Sequence, residues 1–271
     1  MSAPPDLAGS LARHARVALQ FVRIGLIRKT QFRFEFAVQV LMDCTFYATH
    51  VLTFEILFAH TESIAGWTPP EVRVFLGFLF CADAYYMTFL GQAWHFGREL
   101  KDGALDPLRV RPGSPVFLYF FQRFGLEGAT NGVIALAYLG WALVQAPGVT
   151  GALPWLLVPW ALALACVGRT VLTVLLSINE FYLVNSDLAR FWEEALGASS
   201  DNPLDVFGRR VRAFLILALP IGFLAHLPAA LVLGRMGLLA GLAHTAWIAG
   251  FGWLVTRWWR AGFRRYESAL G

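Results

Sequence analysis

Long runs of apolar residues alternate with shorter polar stretches along the chain. A helix needs about 20 apolar residues to cross the hydrocarbon core of a bilayer, and six runs reach this length. They cover residues 36–58, 74–96, 116–144, 153–176, 213–233 and 237–255. The pattern therefore predicts an all-α integral membrane protein with six transmembrane helices, built as a single transmembrane domain over residues 1–271.

The overall composition supports a membrane protein. Of the 271 residues, 57% are hydrophobic and only 15% are charged. A soluble domain carries about 25% charged residues, because most of its surface faces water. The composition therefore argues against an ordinary soluble enzyme or binding module.

Basic residues outside the apolar runs are distributed unevenly, and this predicts the orientation. Cytoplasmic loops of membrane proteins carry an excess of Lys and Arg. Here both terminal stretches and two loops, residues 97–115 and 177–212, are rich in them, whereas the intervening loops hold only Arg73 and Arg235. We expect both termini and these two loops to face the cytoplasm, and we call residues 97–115 and 177–212 the first and second cytoplasmic loops.

The segment of residues 11–32 has a helical period. Leu19 and Leu26 recur on one face, and Arg16 and Arg23 recur on another. Basic amphipathic helices of this kind lie in the headgroup layer with their apolar face buried. We expect an interfacial helix, the alternative being a seventh, partly inserted span.

Proline and glycine interrupt the apolar pattern ahead of the last run. Pro220, Pro228, Gly234 and Gly237 occur with almost no hydrophilic loop between them. If Pro228 ends the fifth span early, residues 228–238 form a short re-entrant hairpin, which membranes tolerate only where protein buries the backbone. The alternative is a kinked helix followed by a tight turn.

Motifs for nucleotide or metal chemistry are missing from the sequence. It contains no Gly-Lys pair and hence no P-loop. The six histidines are scattered, and Cys44, Cys81 and Cys166 lie in apolar runs without metal-ligand spacing. We expect a chain that is not itself an enzyme and binds no cofactor, no metal and no nucleic acid.

Ionisable residues inside the apolar runs are candidates for function, because charge at membrane depth is costly. Arg123 and Glu127 are four residues apart and would share one face of a helix. Helical rise places Asp83 and Glu127 near mid-depth and Arg169 nearer the cytoplasm. These four residues predict an intramembrane polar cluster, which either lines a transport path or fixes helix packing as a neutralised network.

The first cytoplasmic loop reads GRELKDGALDPLRVRPGSP and contains several signals for defined turns. Gly103 permits a sharp turn, and the pair Asp106 and Pro107 favours a turn or a helix start. The pair Arg111 and Pro112 prevents that helix from continuing. The loop is therefore predicted to hold one short, rigid helix suited to docking a soluble partner, unless it is an ordinary basic loop.

The order of these features resembles the membrane subunit of an ABC exporter of the ABC-2 type, more narrowly a subfamily of six-span bacterial permeases of about this length. ELKDGALDPLRVRP resembles the pattern G-x-LD-x-x-L-x-RP of that subfamily. Phe191 and Trp192, followed by NPLDVFGRRVRAFLILALPIGFLAHLPAALVL, are similar to its FW, YPL-x-x-[FY], P-x-x-F and YPA-like elements. Asn202 and Leu227 depart from the pattern, which has Tyr at both positions.

The resemblance implies a permease subunit of an ATP-driven exporter in the bacterial inner membrane. ATP and Mg would bind to a separate ABC ATPase subunit, present in two copies, and a second permease, identical or related, would complete the path among membrane lipids. Residues 97–115 would be the coupling loop and residues 11–32 the connecting helix. The docking positions that the resemblance implies are Glu99, Asp102, Gly103, Asp106, Pro107, Arg111 and Pro112.

Two other functions remain open from the residues alone. A proton-driven secondary transporter would use Asp83 or Glu127 as a titratable group and would need no partner. A membrane assembly factor of the same fold would keep the docking loop but transport nothing. The transported substrate is not identified by any residue pattern.

Overall fold

The computed structural model describes residues 33–111, 113–121, 123–182, 194, 197 and 199–266. The predicted interfacial helix of residues 11–32 lies outside the described residues. So do Pro112 of the predicted docking positions and the pair Phe191 and Trp192.

The described chain is helical, and no strand occurs in it. Its first half contains α1 (Arg33–Phe58), α2 (Pro69–Tyr85), a π turn (Tyr86–Leu90), a 3-10 turn (Gly91–His95), α3 (Phe96–Lys101), α4 (Asp106–Val110), α5 (Pro115–Phe120) and α6 (Leu126–Gln145). Its second half contains α7 (Leu153–Ser177), 3-10 turns at Ile178–Phe181 and Leu204–Val206, α8 (Arg209–Leu217), a 3-10 turn at Pro220–Phe223, α9 (His226–Val232) and α10 (Leu238–Arg265).

Four helical stretches of the described chain are long and apolar enough to cross a membrane. They are Phe36–Phe58, Pro69–Lys101, Leu153–Phe181 and Leu238–Arg265. The prediction of an all-α membrane protein is therefore confirmed at this level. The runs at residues 116–144 and 213–233 differ from the prediction, because neither is one continuous helix.

The third predicted run is broken between α5 and α6. The backbone nitrogen of Gly125 donates a hydrogen bond of 2.9 Å to the carbonyl of Thr88, in the neighbouring π turn. Gly125 adopts an extended backbone conformation, and helix α6 starts only at Leu126. Arg123 lies within this break, but the long apolar runs on both sides of it favoured one continuous helix in the sequence.

The fifth predicted run is divided into three short helical pieces. Helix α8 ends at Leu217, Pro220 begins a 3-10 turn, and α9 has only seven residues. Such a helix rises about 10 Å, too little to cross a bilayer. Residues 220–233 are all buried, as a re-entrant segment requires. Pro228 does not end a helix but lies in the first turn of α9, where proline is tolerated.

The directions of the helices define two ends of the bundle. Helix α6 runs antiparallel to α2, since Gly77 contacts Leu139 and Gly128 contacts Thr88. Helix α10 runs alongside α7 in the same direction, with Gly252 against Val171 and Gly262 against Phe181. We call the end that carries residues 58–69 the Trp67 end, and the end that carries residues 96–121 the Phe96 end.

The predicted second cytoplasmic loop, residues 177–212, does not remain at one end. The indole nitrogen of Trp67 donates a hydrogen bond of 2.8 Å to Asp205, and Arg212 pairs with the same carboxylate. The backbone nitrogen of Leu204 donates to Nδ1 of His226 at 3.3 Å. The structure thus differs from the prediction, because residues 204–212 contact the Trp67 end whereas Tyr182 follows the opposite end of α7.

Candidate docking segment and intramembrane cavity

The residues predicted to dock a partner continue directly from a membrane-spanning helix. Helix α2, the π turn, the 3-10 turn and α3 form one helical stretch, Pro69–Lys101. A tight turn and helix α4 follow it. We call residues 96–111 the docking segment. Because its first part is an extension of α2, a displacement of the segment displaces that helix as well.

The local geometry of the docking segment follows its turn residues. Gly103 has a φ of +72°, a left-handed conformation that favours glycine. The nitrogen of Ala104 donates to the carbonyl of Glu99 at 2.9 Å, which closes the turn. Helix α4 begins at Asp106, and Arg111 is extended. The predicted turn and helix bounds are confirmed, but the segment contains two short helices rather than one.

Buried side chains fasten the docking segment to the bundle. Leu105 is completely buried, and Leu108 is nearly so. At the start of the segment the ring of Phe96 lies 6.0 Å from Trp259 of α10 and 5.3 Å from Phe181. This aromatic cluster connects the segment to the last turns of α7 and α10, so the segment rests on a rigid base.

The opposite side of the docking segment is exposed. Asp102, Pro107 and Arg111 are exposed, and Val110 shows 85% of its surface. The exposed residues of the segment thus include an acidic, a basic and an apolar side chain. A surface of this kind, on a rigid base, is chemically suited to contact another protein.

Glu99 has a different geometry from the other predicted docking residues. Its carboxylate accepts hydrogen bonds from Gln92 and, at 3.0 Å, from Tyr119. Arg123 lies 3.6 Å from the same carboxylate. These contacts connect α3 to α5 and to the chain after it. Glu99 therefore holds the segment in place, and its side chain is directed away from the exposed face.

The predicted intramembrane cluster is only partly assembled. Arg123 and Glu127 do not share a helix face, because α6 begins at Leu126 and Arg123 pairs with Glu99. Asp83 and Arg169, in contrast, line the same cavity. The structure thus places Asp83 and Arg169 at one cavity and directs Arg123 to the Phe96 end.

The cavity between α1, the π turn and α7 has a volume of about 450 Å³. Cavities of about 300–1,000 Å³ accommodate small organic molecules. The guanidinium carbon of Arg169 lies 4.1 Å from the ring centre of Tyr86. The other lining residues, mostly aromatic or polar, are Phe46, Tyr47, Met87, Trp94, Glu194, Gly197, Ser200 and Asp201.

The sequence gives no indication of a buried hydrogen bond between Asn131 and Asp43. The side-chain nitrogen of Asn131 donates to Asp43 at 2.6 Å, and Asn131 is completely buried. The pair ties α1 to α6. The available signal was an amide side chain inside an apolar run, but its partner lies 88 residues away and no local pattern identifies it.

Comparison with protein families gives a match over most of the chain. A family model described as an ABC-2 family transporter protein matches residues 44–269. No curated protein and no solved structure matches the chain. Within the described residues, no group of three or more His, Cys, Asp and Glu side chains is arranged to hold a metal ion.

Proposed function

The chain belongs to the ABC-2 family of transporter proteins, and we propose that it is the permease subunit of an ATP-driven exporter whose ATPase is a separate chain. The observation that carries this proposal is the docking segment, residues 96–111. It combines a buried leucine base, an exposed charged face and direct helical continuity with α2. A secondary transporter would have no need for such a surface.

The Phe96 end is proposed to face the cytoplasm. Basic residues that the structure describes there are Arg98, Lys101, Arg111, Arg123, Arg257, Arg260, Arg264 and Arg265. At the Trp67 end, Arg73, Arg212 and Arg235 each pair with a carboxylate, which offsets their charge, and of the described arginines there only Arg209 and Arg210 are exposed without a carboxylate partner in the described chain. The excess of unneutralised positive charge at the Phe96 end supports this orientation.

The π turn Tyr86–Leu90 is the proposed link between ATP hydrolysis and transport. Such turns interrupt α-helices frequently at functional sites. Tyr86 and Met87 belong to this turn, and Trp94 to the following 3-10 turn, and all three line the cavity. Movement of the docking segment by the ATPase therefore shifts one wall of the cavity relative to α1 and α7.

The complete transporter is proposed to contain two such permeases, identical or related, and two ATPase subunits in a bacterial inner membrane. Six crossings per permease, with both termini cytoplasmic, belong to this proposal. The motor supplies the energy that favours one packing of the helices over the other, because a conformational change requires different interactions in the two states.

A purification from the source cells tests the proposed function. We expect a P-loop ATPase subunit to co-purify with the tagged permease in mild detergent. Val110→Asp should abolish this co-purification without changing the unfolding temperature, because Val110 is exposed. Glu62→Lys, at the exposed Trp67 end, is the control and should retain the ATPase. A permease that purifies alone in several detergents would contradict the proposal.

A further inference from the structure

One face of α10 is exposed along its entire length and changes from apolar to basic. Positions that follow one another at helical spacing on this face are Leu239, Leu242, Ala246, Gly250, Trp253, Arg257, Arg260 and Arg264, all exposed. Nothing lies within 4 Å of a side-chain carbon built at Gly250. Because Ala246 and Gly250 have little or no side chain, the helix surface is low between Leu242 and Trp253, and we call this stretch the groove.

The basic part of this face surrounds a small hollow. Arg257, Arg260 and Arg264 line a cavity of about 200 Å³, with the methyl group of Ala261 between them. No Asp or Glu of the described chain forms an ion pair with any of the three. The guanidinium of Arg257 instead lies 4.8 Å from the ring centre of Trp253. Three positive charges therefore converge without an acidic counterpart among the described residues.

The depth of this hollow matches the headgroup layer of a bilayer. From Leu238 to Arg257 the helix rises about 29 Å, which is close to the thickness of the hydrocarbon core, about 30 Å. Arg257 thus lies at the edge of the core, and Arg260 and Arg264 lie one and two turns further out. Trp253, one turn inside, occupies the depth that tryptophan prefers.

From these observations we infer that this face of α10 binds an anionic phospholipid. The phosphate of the headgroup is held by Arg257, Arg260 and Arg264, whose guanidinium groups recognise phosphate through paired hydrogen bonds. An acyl chain lies along the groove at Ala246 and Gly250. A soluble anion would contact only the three arginines, whereas a phospholipid also contacts the apolar part of the face through its acyl chain. The proposal does not depend on what the chain transports.

The bound lipid would also affect the docking segment. Trp259, on the opposite side of α10, is completely buried and packs against Phe96 and Phe120. A headgroup that fixes Arg257 and Arg260 therefore fixes the turns of α10 on which the base of the docking segment rests.

Native mass spectrometry of the purified permease tests the lipid site. Phosphatidylglycerol is added in steps, and phosphatidylcholine with the same acyl chains serves as the uncharged reference. Each arginine near a lipid surface contributes about 1 kcal/mol, so R257Q/R260Q should weaken phosphatidylglycerol binding about thirtyfold. The control R209Q/R210Q removes the same charge from two other exposed arginines and should leave binding unchanged. A261E, which introduces a carboxylate into the hollow, should abolish binding.

Several results would overturn the proposal. Phosphatidylglycerol binding that is unchanged in R257Q/R260Q, or equally weakened in R209Q/R210Q, would show that the face is not the site. Equal affinity for phosphatidylcholine would remove the role of charge. Displacement by inorganic phosphate would assign the hollow to a soluble anion. Loss of a second permease copy in R257Q/R260Q, with lipid binding intact, would assign the face to a protein contact.

Discussion

At the scale of single residues, glycines determine how closely α2 and α6 approach. A side-chain carbon at Gly77 would lie 2.9 Å from the α-carbon of Leu139. A side-chain carbon at Gly128 would collide with the backbone nitrogen of Thr88 in the π turn. Because backbone atoms cannot move aside as a flexible side chain can, both positions need glycine for packing rather than for turn formation.

We therefore predict that Gly128→Ala destabilises the protein. The added methyl group forces α6 away from the π turn, and overpacking of this kind costs about 1–3 kcal/mol. Gly140→Ala is the matched control, because it lies in the same helix with nothing within 4 Å of the added carbon. Thermal unfolding in detergent should show a lower midpoint for Gly128→Ala only. Equal midpoints for the two variants would contradict the packing described for α2 and α6.

Residue-level prediction from the sequence succeeded where the chemistry is local. The turn at Gly103 and the helix start at Asp106 follow from the conformational preferences of the residues themselves. The expectation that Arg123 and Glu127 share one helix face is wrong, because the helix begins only at Leu126, after Gly125. The true partner of Arg123 is Glu99, in another helix, and only the folded chain brings the two together.

At the scale of elements, the docking segment depends on a few buried side chains for its rigidity. Leu105 is buried beneath it, whereas Val110, five residues later, is exposed. The two aliphatic residues therefore have separate effects: one supports the segment and the other forms part of its surface.

Alanine substitutions should separate these two effects. Leu105→Ala is expected to lower the free energy of unfolding by about 2–5 kcal/mol, because it leaves a cavity. Val110→Ala should change stability by less than about 0.5 kcal/mol, as surface substitutions do, yet weaken the ATPase complex. Unfolding curves and binding to the purified ATPase subunit provide both measurements. Destabilisation by Val110→Ala, with unchanged ATPase binding, would reverse the two assignments.

Elements were predictable from the sequence where apolar runs are uninterrupted, as in α1, α7 and α10. The breaks at residues 121–125 and 218–225 were not predictable in this way. Pro220 marked the second break in the sequence, whereas Arg123 and Glu127 near the first break were interpreted as intramembrane charges of one continuous helix. The expectation that Pro228 ends the fifth span is wrong, because the break lies ahead of α9, and the re-entrant hairpin stays a prediction.

At the scale of the whole molecule, the account divides the protein into two ends with different roles. The Phe96 end carries the docking segment, and the Trp67 end carries a network that joins Trp67, Asp205 and Arg212. The distribution of Lys and Arg along the sequence predicted that residues 204–212 belong to the second cytoplasmic loop. The carboxylate of Asp205 and its indole partner place them instead at the Trp67 end.

Labelling of single cysteines tests this arrangement of ends. Cysteines are introduced at the exposed positions Glu62, Val206 and Val110, after the three native cysteines have been replaced. A membrane-impermeant maleimide added to intact cells should label the cysteines at 62 and 206 but reach the one at 110 only after the membrane is opened. Identical behaviour of positions 206 and 110 would contradict the contact between Asp205 and Trp67.

The most direct test of the central claim is a cross-link from the docking segment to the ATPase. A photoactivatable cross-linker is attached to a cysteine introduced at Val110, and an identical probe at Glu62 serves as the control. The account predicts a covalent adduct between the permease and a P-loop ATPase subunit from position 110, and none from position 62. No ATPase adduct from position 110, or equal adducts from both, would show that residues 96–111 are not the surface through which this permease is driven.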